Sequence, residues 1–295
     1  MAPKRAGTRI HKVLKQRIIT AVILALAFIA ATTLLNSFLF SLIIAFAVLV
    51  AAWEWGGFIG LSRQKSKLAY LATLAVMIMA LFLFLGVSPA TEFLNSSRVS
   101  IILGLGVLFW ALALLMLIAY PKNTNHWNDK SKIALMGLMA LIPAWVGIVQ
   151  LKYLNPAGYL VLALVIMVAA ADIGAYFVGK GIGKKKLAPA LSPNKSWEGV
   201  WGGLAACFVV GVLLIWLMHN YMLELKPLEI ATLLALSLCV TLFDVIGDLL
   251  ESMLKRNQDM KDSGSILPGH GGILDRIDGL LAVTPLFVLT FLLIN

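Results

Sequence analysis

One segment near the end of the chain holds most of the side chains that could do chemistry. Between Ser252 and Asp278, in what we predict to be a single loop, lie four cations, one histidine and four acids: Lys255, Arg256, Lys261 and Arg276; His270; and Asp259, Asp262, Asp275 and Asp278. Cationic side chains neutralise phosphate oxygens, and glycines such as Gly271 and Gly272 let backbone N–H groups approach an oxyanion. We interpret the segment as a phosphate-handling site in which His270 donates to a phosphate or carries a proton. A turn that only gripped anionic lipid would not need so many acids and glycines.

Two further acids lie just before this segment. Asp244 and Asp248 are four residues apart, so they share a helix face, which Ser252 and Lys255 continue. Carboxylates at a membrane are costly unless positive charge lies nearby. From the residues alone, a divalent cation and a pair of interfacial capping acids that reach water explain this pair equally well.

The acids that flank the loop predict a metal site. Asp275 and Asp278 precede the last apolar run at the same membrane face as Asp244 and Asp248, so acids from both sides could bracket an ion. Oxygen-only ligands suit Mg²⁺ or Mn²⁺ rather than zinc. We expect Asp248 and Asp275 to be the principal ligands, with Asp244 and Asp278 in support. Two metals would stabilise an in-line phosphoryl displacement, and the sequence leaves the second cation open.

A second polar cluster emerges at the same face. Asp172 lies near the end of one apolar run and is followed by a glycine- and lysine-rich stretch at 179–186. That stretch lacks the Walker A pattern, and a flexible basic loop explains it equally well. Further on, Ser192 and Lys195 belong to a compact turn before a helix, together with Ser196 and Glu198. We expect Ser192 and Lys195 to contact nucleotide or lipid phosphate, and Asp172 to orient one of them.

The composition around these clusters is that of a membrane protein. The chain has 295 residues, of which 61% are hydrophobic and 13% charged, whereas soluble domains are about 45–50% apolar and about 25% charged. Several apolar runs reach the ~20 residues that span a bilayer as a helix. The fold class is therefore an all-α, polytopic membrane bundle. We predict about nine spans, at 18–35, 37–58, 68–87, 99–120, 133–151, 158–178, 199–218, 229–250 and 279–294. Cys207 and Cys239 lie inside such runs and are expected to be buried thiols.

Charge placement orients the bundle. With the N-terminus in the cytoplasm and strict alternation, only Arg98, Lys152 and Lys226 of the 24 cations fall outside, as the positive-inside rule requires. The sequence thus predicts a multi-pass protein of the inner (plasma) membrane with its active site facing the cytoplasm. The basic N-terminus precedes a membrane helix directly, so we expect it to contact anionic lipids and not nucleic acid.

The chain divides into two functional halves. Residues 1–150 are predicted to be scaffold spans behind the basic N-terminus, and residues 151–295 the catalytic region with the loop 252–278. Glu54 is the one notable acid of the front half. We expect it at the membrane interface between two tryptophan anchors, the alternative being a position inside the bundle.

These motifs resemble those of the phosphatidate cytidylyltransferases, also called CDP-diacylglycerol synthases. The resemblance rests on the residues of the segment that match the family signature: Ser252, Lys255-Arg256, Lys261-Asp262, Gly264, Pro268, His270-Gly271-Gly272, Asp275-Arg276 and Asp278. Asp-x-Gly-Ala-Tyr at 172–176 and Ser-Pro-x-Lys-Ser-x-Glu-Gly at 192–199 are similar as well. The likeness covers residues 165–280, and the first 150 residues match mainly in hydropathy.

The resemblance implies a reaction and its partners. CTP and phosphatidate would give CDP-diacylglycerol and pyrophosphate, with Mg²⁺ as cofactor and a homodimer as the assembly. The residues alone support only metal-assisted phosphoryl or nucleotidyl transfer with a lipid entering from the membrane. Two alternatives stay open at this point: a CTP-dependent kinase acting on a polyprenol-type lipid, and a secondary transporter whose intramembrane acids mark an ion path.

Overall fold

Helices make up almost the whole chain. The computed structural model describes residues 3–222, 224–267, 269 and 271–294, with side chains from residue 18 onward. Within these residues the elements are α1 (Pro3–Leu34), α2 (Ser37–Phe58), α3 (Gln64–Leu85), α4 (Ser96–Ala119), α5 (Thr124–Trp127), α6 (Lys130–Leu154), α7 (Tyr159–Ile182), β1 (Lys186–Ala188), β2 (Ser192–Ser196), α8 (Trp197–Tyr221), α9 (Pro227–Asn257) and α10 (Leu274–Ile294).

The predicted membrane bundle is confirmed. In the described part of the chain, eight helices are long and apolar enough to cross a membrane, and Ile18–Leu34 at the end of α1 forms a shorter apolar helix. Large apolar side chains such as Leu83 and Phe46 point outward, with 81% and 69% of their surface exposed. Such surface suits lipid as a solvent, because hydrocarbon does not penalise exposed leucine and phenylalanine.

The predicted loop 252–278 is shorter than the sequence suggested. Helix α9 continues to Asn257 and α10 begins at Leu274, so the connection spans only 258–273. Ser252, Lys255 and Arg256 lie on α9, and the acids at 275 and 278 lie in the first turns of α10. Side chains held on helices are aimed more rigidly than side chains on a loop.

Helix ends meet at two opposite faces. At one of them Trp55 Nε1 donates to Ile133 O at 2.9 Å, tying the end of α2 to the start of α6, and the Asn257 side chain at the end of α9 donates to Asn128. At the other, Lys152 near the end of α6 donates to Thr32 O of α1 at 2.5 Å. We call the first, with Trp55, Ile133, Asn128 and Asn257, the site face.

Small residues let the helices behind the site approach closely. A Cβ added to Gly174 of α7 would meet Gly202 O of α8 at 2.5 Å, and one added to Gly203 would meet Ala171 O at 2.9 Å. Membrane helices commonly associate through such small-residue contacts. Helices α9 and α10 also cross closely, since a Cβ on Gly247 would overlap Asp278 O and one on Gly279 would overlap Asp244 Oδ1. This crossing brings Asp244 and Asp278 together.

Two strands interrupt the all-helical pattern. β1 and β2 pair antiparallel, with Lys186 opposite Ser196 and Ala188 opposite Ser192. The sequence analysis expected only a compact turn here, because three- and five-residue strands leave no periodic signal. Helices of the predicted scaffold half, α4 and α6, pack directly against α10.

Candidate active site

A charged pocket opens at the site face between α7, the β1–β2 hairpin, α8 and α9. Its volume is about 540 Å³, within the ~300–1,000 Å³ of small-molecule sites. Three acids and three lysines are among its lining residues: Asp172, Asp244, Asp248, Lys180, Lys186 and Lys195. The pocket therefore joins the two polar clusters that the sequence analysis singled out separately.

The hairpin places Lys195 in this pocket. Ser196 caps α8 by accepting from Gly199 N at 3.2 Å, and Glu198 accepts from the backbone N–H groups of Lys184 and Lys185. These bonds close the hairpin onto the helix start, so that Lys195 Nζ lies 2.5 Å from Asp248 Oδ2. Much of the Ser192–Gly199 motif is therefore structural.

Acids from three helices face one another behind Lys195. Asp172 of α7 and Asp244 of α9 share a side-chain hydrogen bond, and Asp278 of α10 interacts electrostatically with Asp172 and Asp248. Asp244 is 6% exposed. Acids brought this close together disfavour one another's charged forms unless positive charge lies beside them. This group, the pocket acids, consists of Asp172, Asp244, Asp248 and Asp278.

A second charged group adjoins the pocket acids. Lys255 Nζ lies 2.7 Å from Glu251 Oε2 and 2.8 Å from Asp275 Oδ1. The other oxygen of Asp275 accepts from Gly272 N at 2.8 Å and Ser263 N at 3.0 Å. Glu251 interacts with both Asp275 and Asp278, so it links this group to the pocket acids.

Glu54 lies inside the bundle, which corrects the expected interfacial position. It is 4% exposed, and its Oε2 accepts from Leu274 N at 3.0 Å. The tryptophans beside it are not a matched pair of interfacial anchors, since Trp55 is 3% exposed and bonds Ile133 O. The alternative position inside the bundle is therefore the correct one, and the N–H of Leu274 donates to the buried carboxylate.

The remaining predicted residues that the structure describes lie around these groups. Ser252 Oγ donates to Asp248 Oδ1 at 3.3 Å, and Arg256 Nε donates to Leu191 O at 3.4 Å, next to Ser192 on the hairpin.

Arg276 is exposed and interacts electrostatically with Asp172. Lys261 and Asp262 are exposed on the connection. Gly271 has φ +88°, a conformation that favours glycine. His270 lies outside the described residues.

The donor chemistry of the site fits a hard divalent cation. Among the residues that the structure describes, no group of three or more His, Cys, Asp and Glu side chains is arranged to hold a metal ion as it stands. The pocket acids nevertheless outnumber the lysine that faces them, and carboxylate oxygens are the ligands Mg²⁺ prefers. Lys195 and Lys255 supply, in this structure, positive charge to Asp248 and Asp275.

Two features of this site were not predicted from the sequence: the role of Glu251 and the partners of Glu54. Glu251 stands four residues before Lys255 on α9, a spacing that brings side chains together on a helix, so its role was accessible from the sequence. The partnership of Glu54 with residues 263–274 was not, because about 210 positions separate Glu54 from Ser263 and no local pattern encodes the contact.

Known proteins resemble this chain along nearly its whole length. The model of the cytidylyltransferase family matches residues 15–294. The phosphatidate cytidylyltransferase of Pseudomonas aeruginosa is 42% identical over 276 residues, which cover 93% of this chain and 95% of the relative. The proteins of that name from Haemophilus influenzae and Bacillus subtilis are 36% and 35% identical, covering 93% and 92% of this chain and 97% and 95% of their own lengths.

Proposed function

The chain belongs to the cytidylyltransferase family, and we propose that it is a phosphatidate cytidylyltransferase acting in phospholipid biosynthesis. It transfers the cytidylyl group of CTP to phosphatidate, giving CDP-diacylglycerol and pyrophosphate. Relatives of that name cover more than nine tenths of the chain, which favours this reaction over a lipid kinase or a transporter.

One observation carries the proposal on the structural side. Acids from α7, α9 and α10 converge at a single membrane end with Lys195 and Lys255 against them. A transporter would call for acids near the middle of the bilayer and for broken helices in both halves. Here the acids cluster beside the hairpin and the connection 258–273, where a water-soluble nucleotide and a membrane lipid can meet.

The proposed mechanism is direct displacement. An oxygen of the phosphatidate phosphate attacks the α-phosphorus of CTP, the bond from that phosphorus to the bridging oxygen breaks, and pyrophosphate leaves with the electron pair. The attacking oxygen is already anionic, so no covalent enzyme intermediate is needed. The work of the protein is to position the reactants and neutralise their charge.

Five cations are proposed to hold the phosphates: Lys195, Lys255, Arg256, Lys261 and Arg276. Lys195 lies in the pocket, and Lys255 is fixed between two acids. Arg256 and Arg276 lie on the two helices that flank the connection. Ser192 and Ser252 are proposed to contact the substrate beside them, and His270 to donate to a phosphate.

Mg²⁺ is the proposed cofactor. Asp248 and Asp275 are the proposed principal ligands, with Asp244 and Asp278 in support. Bound there, Mg²⁺ would offset the negative charge of the reacting phosphates and of the acids. Asp172 orients Asp244 through their shared hydrogen bond, and Lys195 and Lys255 keep the carboxylates aimed into the site.

We propose that the protein lies in the inner membrane with its site facing the cytoplasm. We also propose that it forms a homodimer. The apolar helices support a membrane location, and the lysines near the pocket, at 180, 184, 185, 186 and 195, support the orientation through the positive-inside rule. Labelling of the variant Gly181→Cys from either side of oriented vesicles tests which side of the membrane the site faces. Cross-linking in native membranes tests for the homodimer.

Doubly labelled substrate tests the reaction. The purified protein in detergent receives phosphatidate, Mg²⁺ and CTP labelled on either the α- or the γ-phosphorus. We expect α-label in the lipid product and γ-label in pyrophosphate. Diacylglycerol in place of phosphatidate is the control, since it lacks the attacking phosphate, and it should yield no labelled lipid. Label from the γ-position in the lipid, with release of CDP, would show a kinase and overturn the proposal.

A further inference from the structure

A buried carboxylate from the front half of the chain reaches the segment that connects α9 to α10. Glu54 lies near the end of α2, and its Oε2 accepts from Leu274 N at 3.0 Å. The N–H of Ile273 also interacts with it. Leu274 is the first residue of α10, so a side chain about 220 positions earlier satisfies backbone donors at the start of this helix.

Helix starts need such acceptors. The first N–H groups of a helix have no partner within it, and a nearby side-chain oxygen usually accepts from them. Asp275 accepts from Gly272 N at 2.8 Å in the segment just before α10, whereas Glu54 accepts from Leu274 N, the first N–H of the helix. The two carboxylates thus fix consecutive parts of the backbone that leads into α10.

A serine joins the two carboxylates. Ser263 Oγ lies 3.3 Å from Glu54 Oε2 and 3.0 Å from Asp275 Oδ2, so its single hydroxyl proton can be donated to either acid. Ser263 is 3% exposed. The contact links Glu54 to Asp275, and Asp275 in turn holds Lys255. A displacement of the Glu54 carboxylate would therefore reach proposed site residues through two hydrogen bonds.

The fit around Glu54 also explains two glycines of the connection. A Cβ on Gly264 would overlap Glu54 Oε1, and a Cβ on Gly272 would overlap Ser263 Oγ and lie 2.5 Å from Glu54 Oε2. The backbone is thus wrapped closely around the carboxylate. Gly272 was expected to let the backbone approach a phosphate, and the structure supplies a different reason for its missing side chain.

The charge of Glu54 is offset in part by the backbone. Among the described residues no Lys or Arg forms a salt bridge with it, although burying an uncompensated carboxylate is costly. The positive end of the α10 dipole and the N–H groups that donate to Oε2 offset part of that cost, while Oε1 is buried with no hydrogen-bond partner among the described residues. A carboxylate buried at this cost and bonded to residues 263 and 274 fixes the backbone that surrounds it.

We propose that Glu54 is a positioning residue for the reaction: it holds the first turn of α10 in place and thereby aims Asp275, Arg276 and Asp278. The effect on catalysis rests on the proposed function, whereas the effect on the connection 258–273 does not.

Two measurements on the full-length protein test the proposal together. Hydrogen exchange of peptides covering 261–274 reports the connection, and kcat and KM for CTP report the chemistry. We expect Glu54→Ala to speed exchange there at least tenfold and to lower kcat 30- to 100-fold, with KM changing less than threefold. Glu54→Gln keeps an acceptor oxygen and should recover part of both losses.

Gln150→Ala is the matched control. Gln150 is 2% exposed on α6, of similar size to Glu54, and not a member of the site. We expect its loss to leave exchange at 261–274 and kcat within twofold of the parent protein, even if thermal stability falls.

Gly264→Ala, which perturbs the same carboxylate, keeps the test decisive if Glu54→Ala folds poorly. Gly264→Ala alone should lower kcat at least tenfold because its methyl group meets the Glu54 carboxylate. In Gly264→Ala/Glu54→Ala the added methyl group no longer meets a carboxylate. The kcat of the double variant should therefore be less than twofold lower than the kcat of Glu54→Ala alone. Unchanged exchange and kcat in Glu54→Ala, a parent-like kcat in Gly264→Ala, or fully multiplicative losses in the double variant would overturn the proposal. If the parent protein lacks transferase activity but Glu54→Ala still speeds exchange at 261–274, the proposed function is wrong and the structural role of Glu54 holds.

Discussion

Lys195 Nζ and Asp248 Oδ2 lie 2.5 Å apart and join the β1–β2 hairpin to α9. The hairpin is built by bonds of its own, including the cap that Ser196 forms on α8, so the lysine arrives at the carboxylate already oriented. This contact joins the two polar regions of the sequence in one pocket. Its loss should weaken the stabilisation of a phosphate bound there.

Lys195→Met should therefore lower transferase activity strongly. Removing one preorganised donor from a site that stabilises developing charge costs about 100- to 1,000-fold in kcat, and we expect a loss in that range. Initial rates of liponucleotide formation at saturating CTP measure it. Lys226→Met is the control, since Lys226 is exposed at the start of α9, away from the site face, and it should change kcat less than twofold. Equal losses in both variants would contradict a specific role for Lys195.

Removal of divalent cations should abolish activity. The pocket acids offer only oxygen ligands, so EDTA is expected to stop the reaction, and Mg²⁺ or Mn²⁺ but not Zn²⁺ to restore it. In Asp244→Asn the Mg²⁺ concentration for half-maximal activity should rise about 10-fold or more. Titration of rate against free Mg²⁺ checks this. Full activity after exhaustive EDTA treatment would exclude the proposed cofactor role.

Lys255→Met should destabilise the protein as well as inactivate it. Lys255 faces Glu251 and Asp275, whose side chains are 6% and 8% exposed. Leaving buried charges without their partner costs about 3–5 kcal/mol, so the melting temperature in detergent should fall by several degrees.

Removing one acid at the same time gives the control for that variant. Lys255→Met/Glu251→Gln leaves one fewer unpaired charge and should regain part of the melting temperature without regaining activity. A Lys255→Met protein as stable as the parent would show that the carboxylates find other partners.

Gly247→Ala should inactivate the protein by separating two helices. A methyl group at 247 would overlap Asp278 O on α10, and overpacking of this kind costs about 1–3 kcal/mol. We expect kcat to fall at least tenfold because Asp278 moves away from Asp244 and Asp248. Gly104→Ala is the matched control, since nothing lies within 4 Å of its added methyl group. It should leave both rate and melting temperature unchanged.

The helices were predictable because bilayer spans are long and continuously apolar, and that signal is local. Their polar ends were not. The boundary of α9 was expected near residue 250, yet the helix runs to Asn257, because Glu251 and Lys255 pair at i and i+4 and keep the polar turn helical. A hydropathy profile ends the span where the apolar residues end, because it does not report side-chain pairing.

The site was predictable where residues cluster along the chain and not where they cluster only in space. The spacing along one helix face predicts that Asp244, Asp248 and Lys255 lie together. Glu54 depends on the packing of α2 beside the start of α10, and Lys195 depends on the contact of the hairpin with α9.

The most direct test of the account is the transferase activity of Asp248→Asn. Asp248 faces Lys195 and Ser252 and lies among the other pocket acids, and asparagine keeps its shape while removing its charge. With phosphatidate, CTP and Mg²⁺, we expect a protein that is inserted and as thermally stable as its parent, with liponucleotide formation reduced about 1,000-fold or more. Undiminished product formation by this variant would contradict the claim that these carboxylates carry the reaction.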